Sequence, residues 1–321
     1  MLVYNVEDYV ERALLSALNQ TYKDIEYLIV DDKGNDKSMD IVRNIIFTHP
    51  RREYVRIIEH PVNFGLGAAR NSAIDAAKGK YLYFMDSDDE ITSDCIQKLY
   101  GKMMETDVDV ICGTYSQIDG TTVSHSKTKD VIEKDKEQMV LSYFNNRFPV
   151  TIWNKFYKIS LIQTNNIKCV PHQTIEDNYF TFQILINAQS YSTISDITYI
   201  QHIRNTSITG GREGWNEKIF KQWPQIFNDL LDVLQKSSLE PTLKLKVKKR
   251  LFKRRIGISK LALKSPHNVQ HYINDYLSSS FLKDKDTLFS GMLLFAYFIS
   301  QMPLVVKKMF LLILIKLHNT N

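Results

Sequence analysis

The run Glu26-Tyr27-Leu28-Ile29-Val30-Asp31-Asp32 sets the reading of the chain. Its apolar centre reads as a short buried strand, and two acids follow it directly. The stretch Tyr81-Leu82-Tyr83-Phe84-Met85 repeats the arrangement and ends in Asp86-Ser87-Asp88-Asp89. Tyr54–Glu59 and Val108–Cys112 read as further strands. Amphipathic stretches at 7–19, 36–47, 66–77 and 93–105 lie between or beside them, and Gly79 stands where the third needs a stop. Strand and helix in alternation predict an α/β fold with a mostly parallel sheet and helices on both faces. In such sheets ligands lie beyond the carboxyl ends of the strands, so the residues after each strand carry the functional reading.

Working outward, the first strand is short: Met1-Leu2-Val3-Tyr4 is about half a strand before the loop at Asn5. Ile118–Lys136 is polar and charged and predicts a loop with a weak hairpin. Glycines at Gly210-Gly211 follow the last strand-like run, and helical periodicity takes over after them. Two parts are therefore expected, 1–211 and a basic, mainly helical 212–321.

The 321 residues are 44% hydrophobic and 24% charged, which excludes a disordered or collagen-like chain. The net charge of +5 hides an asymmetry. Residues 1–211 hold 22 Lys and Arg against 28 Asp and Glu, a net of −6, whereas residues 212–321 hold 19 against 8, a net of +11. The acidic part suits a metal, and the basic part suits an anionic surface. Cys95, Cys112 and Cys169 stand far apart with no CxxC pair, which reads as buried thiols in a reducing compartment. The N-terminal stretch carries acids where a secretion signal needs basic residues and an apolar run, so a cytoplasmic setting is expected.

The acids after the strands carry the chemistry. Asp31-Asp32 alone reads equally as helix-capping acids. Three carboxylates within Asp86–Asp89 repel one another unless a cation offsets them, so a hard divalent ion is expected there. Between the clusters, Asn63-Phe64-Gly65-Leu66-Gly67-Ala68-Ala69-Arg70-Asn71 reads as a loop turning into a helix, with Arg70 in its first turns. Arginine beside a metal and phosphate suits a diphosphate. The glycines lack the third member and the position of a dinucleotide fingerprint, which argues against an oxidoreductase. The histidines show no paired spacing for zinc.

Taken in order, Val3-Tyr4-Asn5, Asn19-Gln20-Thr21-Tyr22, Val30-Asp31-Asp32, Asn63–Asn71, Asp86-Ser87-Asp88-Asp89, Trp153-Asn154-Lys155, Glu176-Asp177 and His202–Thr209 resemble the family 2 glycosyltransferases of GT-A fold. The resemblance covers about residues 1–210. It implies an inverting enzyme that moves a sugar from a nucleotide-sugar, most often a UDP-sugar, to an acceptor hydroxyl, using Mn or Mg. It implies that Tyr4 packs on the base, Asp32 hydrogen-bonds it, and Arg70 lies near the donor. Asp88 would bind the metal with Asp86 supporting, and His202 and Arg204 would close over the diphosphate. Asp177 would be the catalytic base, and Trp153 would border the acceptor pocket; if the segment is helical, the neighbouring Glu176 faces away. A saccharide or lipid-linked acceptor in polysaccharide or glycolipid synthesis is expected, and no nucleic acid. The chain departs from the pattern at Leu2, where a proline is usual, and within Asp32-Lys33-Gly34-Asn35-Asp36, where serine and threonine usually follow the aspartate pair. A catalytically inactive nucleotide-sugar-binding scaffold is the alternative from another class.

In the C-terminal part, Leu243, Val247, Leu251, Phe252, Ile256, Ile258 and Leu261 form a helical stripe between cations. It reads as the inner face of a solvated basic helix or as an electrostatic foot for anionic lipid or a phosphate-bearing acceptor. The apolar stretch 288–306 is interrupted by Ser290, Gly291, Ser300, Gln301 and Pro303. Helices lying on a membrane or packed in the protein are expected there rather than a span. A peripheral place at the inner face of the cell membrane follows.

Overall fold

The computed structural model describes residues 1–126, 128–204, 215–278 and 291–319. The chain forms two compact units, Met1–Ser207 and Ile208–Asn321. The expected boundary at Gly210-Gly211, residues 205–209 of the last motif and residues 288–290 lie outside the described residues.

The first unit opens as the sequence predicts. β1 (Leu2–Val3), β2 (Tyr27–Asp31) and β3 (Val55–Glu59) form a parallel sheet, with Leu2 opposite Val30 and Tyr27 opposite Val55. All five residues of β2 are buried, which is why it reads as an unbroken apolar run. α1 (Val10–Leu18) buries Val10, Ala13, Leu14, Ala17 and Leu18, a stripe at helical spacing. α2 (Ser38–Thr48) and α3 (Leu66–Ala76) complete the alternating units. α3 does not stop on Gly79. It ends at Ala77, where Arg56 donates to the Ala76 carbonyl at 2.6 Å and Glu26 accepts from the amides of Lys78 and Gly79.

Beyond α3 strand directions mix. β4 (Tyr81–Tyr83), β5 (Glu90–Ile91), β6 (Val110–Asp119), β9 (Lys155–Lys158) and β10 (Tyr191–His202) run in the order β4-β9-β6-β10-β5. β6 and β10 are parallel, and the other neighbours on this path are antiparallel. The predicted hairpin forms: β6 turns at Gly120 into β7 (Thr122–His125), and β8 (Val131–Glu133) pairs with β10. α4 (Cys95–Thr106), α5 (Lys136–Ser142), α6 (Ile159–Thr164) and α7 (Asp177–Asn187) fill in between the strands. A single core joins both sheets through Val3, Leu14, Ile29, Met85, Leu99, Ile111 and Phe156. Truncating one such leucine to alanine costs about 2–5 kcal/mol.

The second unit is helical: α8 (Glu217–Lys236), α9 (Pro241–Lys264), α10 (Ile273–Tyr276), α11 (Gly291–Gln301) and α12 (Leu304–Asn319). Asn216 caps α8 by accepting from the Ile219 amide. The expected stripe of α9 is buried at Leu243, Val247, Leu251, Phe252 and Ile258. Leu261 departs from it and is exposed, while Arg255 is taken inside over the Phe227 ring, where burial lowers its pKa to about 9.

Candidate active site

β4 ends and the chain enters the acid loop. Asp86 bridges to Leu2 in parallel, which sets the loop beside the end of β1. Carboxylate oxygens of Asp86, Asp88 and Asp89 lie within 4.8 Å of one another. Burial, and then the charge of Asp86, raises the pKa of Asp88. Burial, then Asp88 and Asp86, pushes Asp89 up to about 8. Crowded carboxylates in a dry setting behave in this way until a cation offsets them. The donor set is all oxygen, which fits Mg or Mn. Asp89 is already engaged: it accepts from the Tyr199 hydroxyl and the His202 amide, each at 2.8 Å. Both of its oxygens are engaged, whereas Asp86 and Asp88 each meet an arginine through one oxygen, so these two are the better placed to meet an ion.

Arg204 pairs with Asp88, and its guanidinium lies 4.6 Å from the centre of the Tyr9 ring. Arg12 donates to the Asp88 carbonyl at 2.7 Å. The His202 ring sits 2.8 Å from Glu90 and ties the end of β10 to the acid loop.

Arg70 reaches the same loop from α3. The turn ahead of that helix needs its glycines. Gly65 sits at φ +83°, and a Cβ on Gly67 would stand 2.3 Å from the Val170 carbonyl oxygen. Asp32 holds this turn by accepting from the amides of Phe64 and Gly65, each at 2.9 Å. Asp32 also pairs with His60 at 2.7 Å, and His60 in turn meets Ser72 of α3. Arg70 is buried; it donates to Asp86 at 3.2 Å and pairs with Glu176. The expectation that Glu176 faces away is corrected. Glu176 is the N-cap of α7, ahead of its first full turn, and its side chain turns inward to the guanidinium.

Asp177, the first residue of α7, accepts from the Asn178 side chain at 2.9 Å. Burial raises its pKa, and the positive charges of Arg70 and Lys155 oppose the rise. Lys155 is itself buried and donates to the Thr151 carbonyl, and burial lowers its pKa.

Tyr4 is 49% exposed and borders a cavity of about 190 Å³ together with Asn5, Asp31, Lys33 and Gly34. Asp31 rather than Asp32 lines this cavity. Trp153 is in the core, stacked on Tyr199 with ring centres 4.5 Å apart. Arg70, Asp86, Asp88 and Arg204 are thus linked by direct contacts, with Asp177 in electrostatic reach of Arg70. Trp153 stacks on Tyr199, whose hydroxyl donates to Asp89.

Sequence reasoning misses Tyr199 and His60. The Tyr199 hydroxyl accepts from the Asp86 amide and donates to Asp89, yet a lone tyrosine in a strand carries no signal. His60 directly follows β3, at the strand end where the sheet rule directs attention, and that position is the available clue.

Residues 1–168 match the family model described as Glycosyl transferase family 2. A poly(ribitol-phosphate) beta-glucosyltransferase of Bacillus spizizenii is 31% identical over 254 residues, which cover 76% of this chain and 38% of that protein. The chain thus spans well under half the length of that relative. The poly(ribitol-phosphate) beta-N-acetylglucosaminyltransferase TarP of Staphylococcus aureus is 28% identical over 74% of this chain and 72% of its own. Among solved structures, S. aureus TarS 1–349 in complex with UDP-GlcNAc superposes with a TM-score of 0.71 at 20% identity, over 88% of this chain and 79% of that one. That likeness bears on the fold.

Proposed function

The chain belongs to glycosyl transferase family 2, and from that premise we propose that it is a metal-dependent, inverting transferase. It moves a sugar from a UDP-sugar to a hydroxyl of a saccharide or lipid-linked acceptor, in surface polysaccharide or glycolipid synthesis. The observation that carries this reading is the Arg70 guanidinium, held between Asp86 of the acid loop and Glu176, the neighbour of Asp177. One buried cation joins the donor side of the site to the residue beside the candidate base.

In this reading Tyr4 meets the base at the cavity by β1. Asp32 acts on the nucleotide side by fixing the turn into α3, and Asp31 lines the cavity where the base would sit. A Mn or Mg ion held by Asp88 and Asp86 would offset the negative charge that grows on the departing diphosphate. Arg70 and Arg204 add fixed positive charge to the same region, and His202 holds the end of β10 in place. The acceptor oxygen bonds to the anomeric carbon as the bond from that carbon to the diphosphate oxygen breaks. The acceptor proton passes to Asp177, whose raised pKa makes it a better base than an ordinary carboxylate. Attack from the face opposite the leaving group inverts the anomeric centre. Trp153 supports the acceptor side from the core.

Residues 1–211 would form the catalytic part, and 212–321 would seat it peripherally at the inner face of the membrane. The relative TarP acts on poly(ribitol-phosphate), by its name, so a polyanionic polymer is the first acceptor to test. UDP release from UDP-GlcNAc and other UDP-sugars, with Mn, with Mg and with chelator, tests the reading. Divalent-dependent release supports it. Tight UDP binding with no release from any donor points instead to a nucleotide-sugar-binding scaffold.

A further inference from the structure

Helix α12 shows an apolar stripe to water while it buries one of its lysines. Lys307 and Leu311 are buried, and the Lys307 ammonium donates to Asn274 at 3.2 Å. On the opposite side Val305, Met309 and Ile313 are 68%, 58% and 55% exposed, with Leu312 and Lys316 on the same face. These positions recur at the spacing of one helical stripe. α11 behaves alike: Ala296 and Ile299 face inward, while Leu294, Phe295, Tyr297 and Phe298 are exposed. Phe295 and Phe310 meet at 5.5 Å, so the two helices form one hairpin with a shared apolar surface. A lone exposed leucine is ordinary, but a contiguous face of this kind marks a partner or a membrane.

We propose that the α11–α12 hairpin inserts its exposed face into the interface of an anionic bilayer. This deepens the peripheral seat proposed above and is independent of the transfer chemistry. Charge selects the occupant. Residues 291–319 contain no Asp or Glu, and of their three lysines Lys307 faces inward while Lys308 and Lys316 are not buried. α9, against which α12 packs, carries ten Lys and Arg and no acid. Its exposed side includes Lys246, Arg250, Lys253 and Lys264. A second copy would bring like charge to like charge, whereas an anionic lipid surface complements both the cations and the apolar stripe. No described helix is long and apolar enough to cross a membrane, which leaves insertion in the plane of the interface.

The test is flotation of the full chain with phosphatidylglycerol–phosphatidylcholine vesicles and with phosphatidylcholine alone. The proposal expects strong recovery with the anionic vesicles and at least a tenfold loss of binding for Met309→Glu/Ile313→Glu. UDP affinity and circular dichroism of the variant should match the parent. A Met309→Trp protein supplies an independent reading, with the fluorescence of the introduced indole quenched by brominated lipid. Equal flotation of the charged variant, an introduced indole that brominated lipid leaves unquenched, or no recovery with anionic vesicles overturns the proposal. So does a dimer in light scattering that the charged variant dissociates while vesicles are ignored. UDP release with a soluble acceptor, measured on the same preparations, reports separately on the transferase reading.

Discussion

Arg70 and Glu176 form a buried ion pair between α3 and the start of α7, and the same guanidinium reaches Asp86 at 3.2 Å. Removing one partner of a buried pair leaves the other charge uncompensated, at a cost of about 3–5 kcal/mol. Glu176→Gln keeps the shape and removes the charge. It should lower the melting temperature and free Arg70 to bind Asp86 more tightly. Half-maximal activity should then need more divalent ion. A thermal melt and a Mn titration of activity check both effects, and an unchanged Mn requirement would show that the pair does not reach the acid loop.

Asp88→Asn should abolish divalent-dependent turnover and leave the fold intact. The substitution removes one of the two carboxylates better placed to meet an ion, and it relieves the repulsion that raises Asp89. Activity with and without Mn, beside circular dichroism, is the measurement. Full activity in the variant would remove Asp88 from metal binding.

Asp177→Asn should lower kcat by about 10²–10⁴-fold, the range for a lost positioned base. UDP affinity should stay near that of the parent, because the base acts in the transition state. Calorimetric UDP titration beside turnover separates the two.

The pH profile of kcat/KM follows from the direction of the Asp177 shift. Burial raises its pKa, and a base works only when deprotonated, so activity should fall as pH drops through a midpoint above the ordinary carboxylate range. Lys155 opposes the rise, so Lys155→Met should move this acid limb to higher pH. A limb that stays in place in Lys155→Met would rule out that electrostatic link.

The strand–helix alternation up to α3 is legible because β2 is buried on both faces and α1 on one, so each prints its own period in the sequence. The mixed sheet is less so. β10 starts with four buried residues and then turns half-exposed, and no local pattern says which strand lies beside it. Asp86, Asp88 and Arg70 can be found because like charges at close spacing demand an explanation. Glu176 is misread because helical phase alone does not reveal Arg70, a partner far along the chain that draws its carboxylate inward. Tyr199 and the inward turn of Lys307 are tertiary facts, set by packing partners far along the chain.

Inversion by a single displacement is read from the anomeric configuration of the product. An α-linked UDP-sugar that supports UDP release would be incubated with acceptor and divalent ion, and the new linkage read by proton NMR. A β-linkage, formed about 10²-fold or more slowly when Asp177→Asn replaces the parent, is the predicted result. An α-linked product, or a β-product formed at full rate by Asp177→Asn, would contradict it.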